Sequence, residues 1–231
     1  IYLATGFDTT NEPNIFYAPI ENGGSGSTGT WGNGSPGGDF TAREGQSTVT
    51  YNGYMYVLGG YDGTSYKNDV QYAAINSDGT LGAWAPTASF TGARENAGAV
   101  AYGGYLYIAG GQNGATSILS DVQYAQLQSN GVIAADSGCG TSWCEAGGLS
   151  VPTAQFSLVA SHGYLYAIGG ITSTSQTFNY TGAAQNFTVP AGVTQVTVQA
   201  WGAAGGDGGN HALQSGGHGG YAEGAITTTP G

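Results

Sequence analysis

The sequence predicts an all-β chain built from a repeated four-stranded unit, on three observations. A phrase of alternating aromatic and aliphatic residues ending in a glycine pair occurs three times: Tyr54-Met55-Tyr56-Val57-Leu58-Gly59-Gly60, Tyr105-Leu106-Tyr107-Ile108-Ala109-Gly110-Gly111 and Tyr164-Leu165-Tyr166-Ala167-Ile168-Gly169-Gly170. Each copy follows a two-residue step, Asn52-Gly53, Gly103-Gly104 or His162-Gly163, with another β-prone run upstream. Asn and Gly tolerate the positive φ of tight primed turns, so each copy reads as a hairpin. The glycine pairs recur at intervals of 51 and 59 residues, a period long enough for four strands.

Taken in order, the chain opens on a weaker copy, Ile1-Tyr2-Leu3-Ala4-Thr5-Gly6, whose hairpin partner is missing, so the chain reads as part of something longer. A third strand is expected at Asn14-Ile15-Phe16-Tyr17-Ala18, Asp69-Val70-Gln71-Tyr72-Ala73 and Asp121-Val122-Gln123-Tyr124-Ala125, where residues alternate with period two. A turn follows, clearest in Asn76-Ser77-Asp78-Gly79-Thr80, and then a lone tryptophan: Trp31, Trp84 or Trp143. Thr41-Ala42-Arg43-Glu44 and Thr91-Gly92-Ala93-Arg94-Glu95 lead into the next hairpin, while Pro152-Thr153-Ala154-Gln155 lacks the Arg-Glu pair.

Each element has a physical reading. Inner strands carry apolar residues in both directions because a sheet between two others buries both faces. The pairs Gly59-Gly60, Gly110-Gly111 and Gly169-Gly170 allow a turn where a Cβ would clash. The tryptophans are expected to pack between units with their N–H bonded. Arg43 and Arg94, locked to the repeat, are expected to bridge carbonyls of adjacent strands rather than to meet a ligand.

In this order the features resemble kelch repeats, over residues 1 to about 176. The resemblance implies a partial kelch-type β-propeller of four-stranded antiparallel blades (residues 1–176), followed by a small glycine-rich β domain (177–231). About three blades and a starter hairpin are present, where propellers need at least four. The remaining ring is then missing, or the open blade edges assemble with something else.

From Thr177 the composition changes. Phe187 and Val189, then Val196, Val198 and Ala200, keep a period of two on either side of Pro190-Ala191-Gly192, and predict a half-buried hairpin. A glycine-studded tract runs to Gly220, and Tyr221 to Thr227 reads as a further strand. Phe-Thr-Val-Pro-Ala-Gly, then Val-x-Val-x-Ala-Trp-Gly-Ala and a glycine tract, resembles glycine-rich β domains of bacterial surface and phage tail proteins.

Composition excludes some functions. Three cations against fourteen acids give a net charge of −11. That leaves no basic patch for nucleic acid and disfavours anionic membrane surfaces. No apolar run is long enough to span a membrane as a helix. Cys139 and Cys144 form a Cys-x4-Cys pair. A disulfide in an oxidising compartment is the expectation, against two free thiols or a zinc site that would need two more ligands. Asn33, Asn179 and Asn186 open N-glycosylation patterns, which arise by chance in so Ser/Thr-rich a chain.

No catalytic constellation emerges. Gly24 to Gly29 matches G-x-G-x-x-G, but no helix follows to meet a pyrophosphate. Gly205 to Asn210 resembles a single turn of a calcium-binding roll and is not repeated. His162 sits in a turn, His211 and His218 in the glycine tract, and no nucleophile elbow is present. Glu44 and Glu95 hold equivalent positions, and pairing with the adjacent Arg43 and Arg94 is the expected account of them. No cofactor or metal is called for.

The segments Tyr61 to Asn68 and Gln112 to Ser120 differ between units whose strands agree, and variable loops on a rigid frame are where binding resides. Tyr61, Asp62, Tyr66, Lys67, Gln112 and Asn113 form a polar-aromatic set suited to a sugar or a protein surface. The expected function is therefore an extracellular or cell-surface adhesion or recognition protein with a glycan or protein ligand, more a binder than an enzyme. The resemblance also admits a secreted kelch-type enzyme, similar to copper oxidases or sugar mutarotases, or a structural spacer or filament subunit.

Overall fold

The computed structural model describes residues 2–7, 11–21, 27–33, 41–114, 117–172, 178–181, 183–186, 189, 195–202 and 220–227. The chain divides into two compact units, Ile1–Thr174 and Ser175–Gly231. Strands and turns, and no helix, make up the described residues.

In the first unit, β1 (Tyr2–Phe7), β2 (Asn11–Tyr17) and β3 (Gly32–Asn33) form a three-stranded antiparallel sheet. The strands β4 (Ser47–Tyr51), β5 (Tyr54–Leu58), β6 (Val70–Ala74) and β7 (Ala85–Thr87) form a four-stranded sheet in chain order. The pattern repeats in β8 (Gly98–Tyr102), β9 (Tyr105–Ala109), β10 (Asp121–Gln126) and β11 (Cys144–Gly148). The short pair β12 (Thr153–Ala154) and β15 (Ile171–Thr172) flanks a last hairpin, β13 (Ser157–Ser161) with β14 (Tyr164–Ile168).

The three hairpins share one register, closing on Tyr51↔Tyr54, Tyr102↔Tyr105 and Ser161↔Tyr164. Their turn residues have positive φ: 48° and 80° at Asn52-Gly53, 61° and 88° at Gly103-Gly104, 51° and 82° at His162-Gly163. These are the primed turns the dipeptides predict, since their twist matches that of the strands.

The glycine pairs end β5, β9 and β14 alike. A Cβ on Gly60, Gly111 or Gly170 would lie 2.7 Å from the carbonyl oxygen of Glu44, Glu95 or Ala154. That is closer than any side chain tolerates, and it explains why glycine recurs there.

The cores lie between sheets. Ile15, Met55, Val57, Ala73, Leu81 and Trp84 fill the space between the first and second. Tyr56, Leu58, Val70 and Phe90 meet Leu106, Ile108, Ala125 and Trp143 between the second and third. Ala109 and Val122 meet Phe156 and Leu158 of the last hairpin. Along β5, Met55 and Val57 therefore face back while Tyr56 and Leu58 face onward, as alternation on a doubly covered sheet requires.

Each of Trp31, Trp84 and Trp143 directly precedes an outer strand. Trp143 crosses to the second sheet, donates Nε1–H to Ala88 O at 2.8 Å and stands edge-on to Phe90. Trp84 is 6% exposed, but Trp31 is 46% exposed. The expectation that all three pack between units therefore fails for Trp31. Its position faces backward from the first sheet, and no described sheet covers that side.

In the second unit β16 (Gln195–Trp201) pairs along its whole length with β17 (Tyr221–Thr227), antiparallel, from Gln195↔Thr227 to Trp201↔Tyr221. Phe187 and Thr188, in the expected hairpin partner of Val196-Ala200, lie outside the described residues. Val189 and Val196 are half-buried, while Val198, Trp201 and Ile226 are exposed. The turn at 190–194 and most of the glycine tract also lie outside the described residues.

Candidate functional site

The loop after β5 is closed by its own backbone. Tyr61 exchanges both main-chain hydrogen bonds with Glu44, at 2.9 and 2.8 Å, and forms a bridge with Tyr66. Lys67 N–H donates to Gly60 O at 2.8 Å. Asp62 caps the turn by accepting from the N–H groups of Thr64 and Ser65 at 2.9 and 2.8 Å. The Lys67 ammonium pairs with the Asp62 carboxylate. The Lys67 hydrogen bond first, then the Ser65 and Thr64 N–H groups, hold that carboxyl well below the usual range. The rings of Tyr61 and Tyr66 lie 5.0 Å apart at 45°. Tyr61, Asp62, Tyr66 and Lys67 are thus brought together, half-buried, in one ordered loop.

Gln112 takes the corresponding place after β9, exchanging both main-chain bonds with Glu95 at 2.9 Å. Its amide nitrogen donates to Glu95 Oε1 at 3.0 Å. Asn113 N–H donates to Ser117 O at 2.9 Å, and its side chain is exposed. The bases of the two loops are joined where Asn96 N–H donates to Gly45 O at 2.6 Å. The six residues therefore occupy the same end of two adjacent sheets.

Beneath that end lie the arginines. All five N–H groups of Arg94 are directed at acceptors. Nε donates to Gly92 O, Nη1 to Gly110 O and Asp121 Oδ1, and Nη2 to Thr91 O and Asp121 Oδ2, at 2.8 to 3.0 Å. Arg43 repeats this with Thr41 O, Gly59 O and a two-point contact to Asp69 at 2.7 and 2.9 Å. The carbonyl-bridging role is as expected, but the expected pairing with Glu44 and Glu95 is corrected: the ionic partners are Asp69 and Asp121. A fork of donors matches a carboxylate held in-plane across the sheet, which the next residue in the chain cannot supply. Burial raises the Asp121 carboxyl pKa, but hydrogen bonds from Arg94 and Gln123 outweigh it and hold the group below its ordinary value.

Asp69 and Asp121 are the residues that sequence reasoning passed over, and the repeat held the signal. Aspartate opens the third strand in the two repeats that carry arginine, and Asn14 stands there in the first. In the last, Thr153 takes the arginine's place: Gly111 N–H donates to Thr153 O at 2.9 Å as Gly60 N–H does to Arg94 O at 2.8 Å.

Cys139 and Cys144 form a disulfide with Cα atoms 6.0 Å apart. It closes a loop in which Asp136 accepts N–H bonds from Gly138, Cys139 and Gly140, and it ties that loop to the start of β11 beside Trp143. The bond fits an oxidising compartment. No helix is long and apolar enough to cross a membrane. His162 lies exposed in its turn against Ser161. Among the described residues no three His, Cys, Asp or Glu side chains group as metal ligands. His211 and His218 lie outside those residues.

Repeated antiparallel four-stranded sheets stacked face to face, each with a glycine pair and a buried arginine, define a β-propeller built of blades. Residues 42–72 and 93–124 match the family model of the kelch motif, and the blades are of kelch type. No curated protein matches the chain. The solved structure of YjhT is similar over 58% of this chain and 40% of its own, at 17% identity and a TM-score of 0.47. This chain therefore spans less than half of that protein's length. Kelch blades are a scaffold for protein binding or for enzyme-like activity, and which role is served depends on the loops they carry.

Proposed function

We propose that the chain is a recognition module that binds a glycan or a protein surface through the loops that follow its glycine pairs. One observation carries the reading: Tyr61, Tyr66, Asp62 and Lys67 form a rigid aromatic and charged loop on the end of a blade. The equivalent loop of the next blade keeps the same backbone frame but presents Gln112 and Asn113. Constant frame with changing side chains is how a scaffold acquires specificity. Adjacent aromatic rings beside amides and carboxylates suit the apolar faces and hydroxyls of sugars as well as polar protein surfaces. The disulfide and the low count of cations support a place outside the cell or on its surface, as an adhesion protein.

The test is a glycan array and a cell-surface binding assay on the chain and on its Tyr66→Ala and Lys67→Ala variants. Both variants are expected to bind at least about tenfold more weakly, with stability changed by under about 0.5 kcal/mol for Tyr66→Ala and about 0–1 kcal/mol for Lys67→Ala, whose ion pair is partly exposed. Binding that survives both substitutions refutes the loop assignment. Turnover in a copper-dependent oxidase assay or a sugar mutarotase assay favours the enzyme class.

A further inference from the structure

The two loops after the glycine pairs stand apart from the strong negative charge of the chain. Residues 61–68 hold one acid and one base, Asp62 and Lys67, and residues 112–120 hold no charged residue. Together they sum to zero in a chain of net charge −11. The sequence has three Lys and Arg residues in all. Each already has a carboxylate partner: Arg43 has Asp69, Arg94 has Asp121 and Lys67 has Asp62. No Lys or Arg of this chain is therefore left to neutralise an anionic group on a ligand. Docking such a group against these loops would desolvate a charge that gains no partner.

Asp62 is what takes Lys67 out of that role. The Lys67 side chain is 28% exposed, so its ammonium reaches the surface, but the Asp62 carboxylate holds it. Asp62 accepts from the N–H groups of Thr64 and Ser65 through Oδ1, which leaves Oδ2 for the ammonium. These bonds, that of Lys67 first, hold the carboxyl well below the usual range, so the two charges stay cancelled in mildly acid as well as neutral solution. What the loops offer besides this pair is uncharged. The rings of Tyr61 and Tyr66 lie 5.0 Å apart. The Gln112 amide is held in place by Glu95, and the Asn113 side chain is exposed. A sugar ring presents apolar C–H faces to such rings, and hydroxyls that both donate and accept to such amides.

We propose, on the footing that these loops bind, that their ligand is an uncharged glycan and that Asp62 sets this selectivity by cancelling Lys67. A neutral saccharide gives up no ionic hydration on docking. A sulfated or carboxylated one does, and it finds no free cation in return. Asp62 is then the element that works against the wrong ligand, while the rings and amides favour the right one. A basic protein surface is disfavoured at the same place, because the loops carry no net negative charge to complement it. The selectivity is reversible by one substitution. Asp62→Asn keeps a side-chain oxygen for the Thr64 and Ser65 N–H groups and removes the charge, so Lys67 becomes an unpaired cation among the loop residues.

The test is an array of neutral oligosaccharides, lactose among them, each beside the same oligosaccharide bearing a sulfate or a carboxylate. It is probed with the full chain, Asp62→Asn, Asp62→Asn combined with Lys67→Gln, and Tyr66→Ala. The unsubstituted chain is expected to bind neutral members at least about tenfold more tightly than their acidic counterparts. Asp62→Asn is expected to move that ratio toward the acidic members by at least about tenfold, and adding Lys67→Gln to move it back. The gain is expected to shrink between about 0.05 and about 0.5 M salt, as screening weakens an exposed charge. Acidic glycans bound as well as neutral ones by the unsubstituted chain overturn the proposal, as does a ratio that Asp62→Asn leaves unmoved. A chain that binds no glycan also overturns it, and capture of a protein surface instead leaves the recognition reading standing. Binding indifferent to Tyr66→Ala overturns both. Melting curves confirm folding. Should Asp62→Asn unfold, Asn113→Lys places an exposed cation on the neighbouring loop and is expected to move the ratio the same way.

Discussion

Replacing Arg94 by methionine keeps much of the side chain's length and removes five hydrogen bonds at once. The guanidinium is 2% exposed, and its loss strands the carbonyls of Gly92 and Gly110 and the carboxylate of Asp121. Removing one partner of a buried ion pair costs about 3–5 kcal/mol. The Asp121 side chain is 29% exposed, so water reaches it in the variant, and a loss of about 3 kcal/mol is expected. In a chain of this size that lowers Tm by about 6–12 °C. Urea unfolding followed by tryptophan fluorescence reads the change as a fall in midpoint at constant slope. Adding Asp121→Asn to the variant should cost less than the sum of the two single changes, since the residues act as one unit. Acid provides an independent reading. The Asp121 carboxyl has a lowered pKa in the fold, so its contribution is present above the unfolded value of about 3.9 and is lost as pH falls through the folded one. Arg94→Met should therefore blunt the acid sensitivity of the native chain. A loss below about 1 kcal/mol, or strictly additive effects, would show that the arginine merely fills space.

Three further outcomes are expected. Trp84→Ala should destabilise by about 3–5 kcal/mol, while Trp31→Ala, measured in dilute solution, should stay within about 0.5 kcal/mol; equal effects would refute the directional packing. Reducing the Cys139–Cys144 bond should cost about 2 kcal/mol, as a short loop constrains the unfolded chain little. Two alkylatable thiols in unreduced protein would remove the bond from the structure. Burial, and then the neighbouring Tyr54, Tyr72 and Tyr51, push the Tyr56 hydroxyl up to about 12. Its contribution to stability is then whole below pH of about 10 and is lost as pH rises toward the folded value, so one tyrosine should ionise late and together with unfolding in an alkaline absorbance titration.

The hairpins, their turns and the glycine pairs were legible in the sequence because each is a local event. Asn52-Gly53 and its counterparts bend the chain within two residues, and the alternation in Tyr54 to Leu58 states that both faces will be covered. The loop residues after the glycine pairs were legible as a set for the same reason, since they vary where the frame does not. What covers each face was decided by tertiary structure. Arg43 and Arg94 reach Asp69 and Asp121 across 26 and 27 residues, a distance at which adjacency in sequence wrongly favoured Glu44 and Glu95. Trp31 reads like Trp84 and Trp143, yet its exposure depends on whether a sheet lies behind it. β16 pairs with Tyr221–Thr227 from beyond the glycine tract, a partner its own residues do not specify, because strand pairing is non-local. Local geometry depends on a few neighbouring dihedrals and is written residue by residue, while burial and pairing are properties of what the rest of the chain brings alongside.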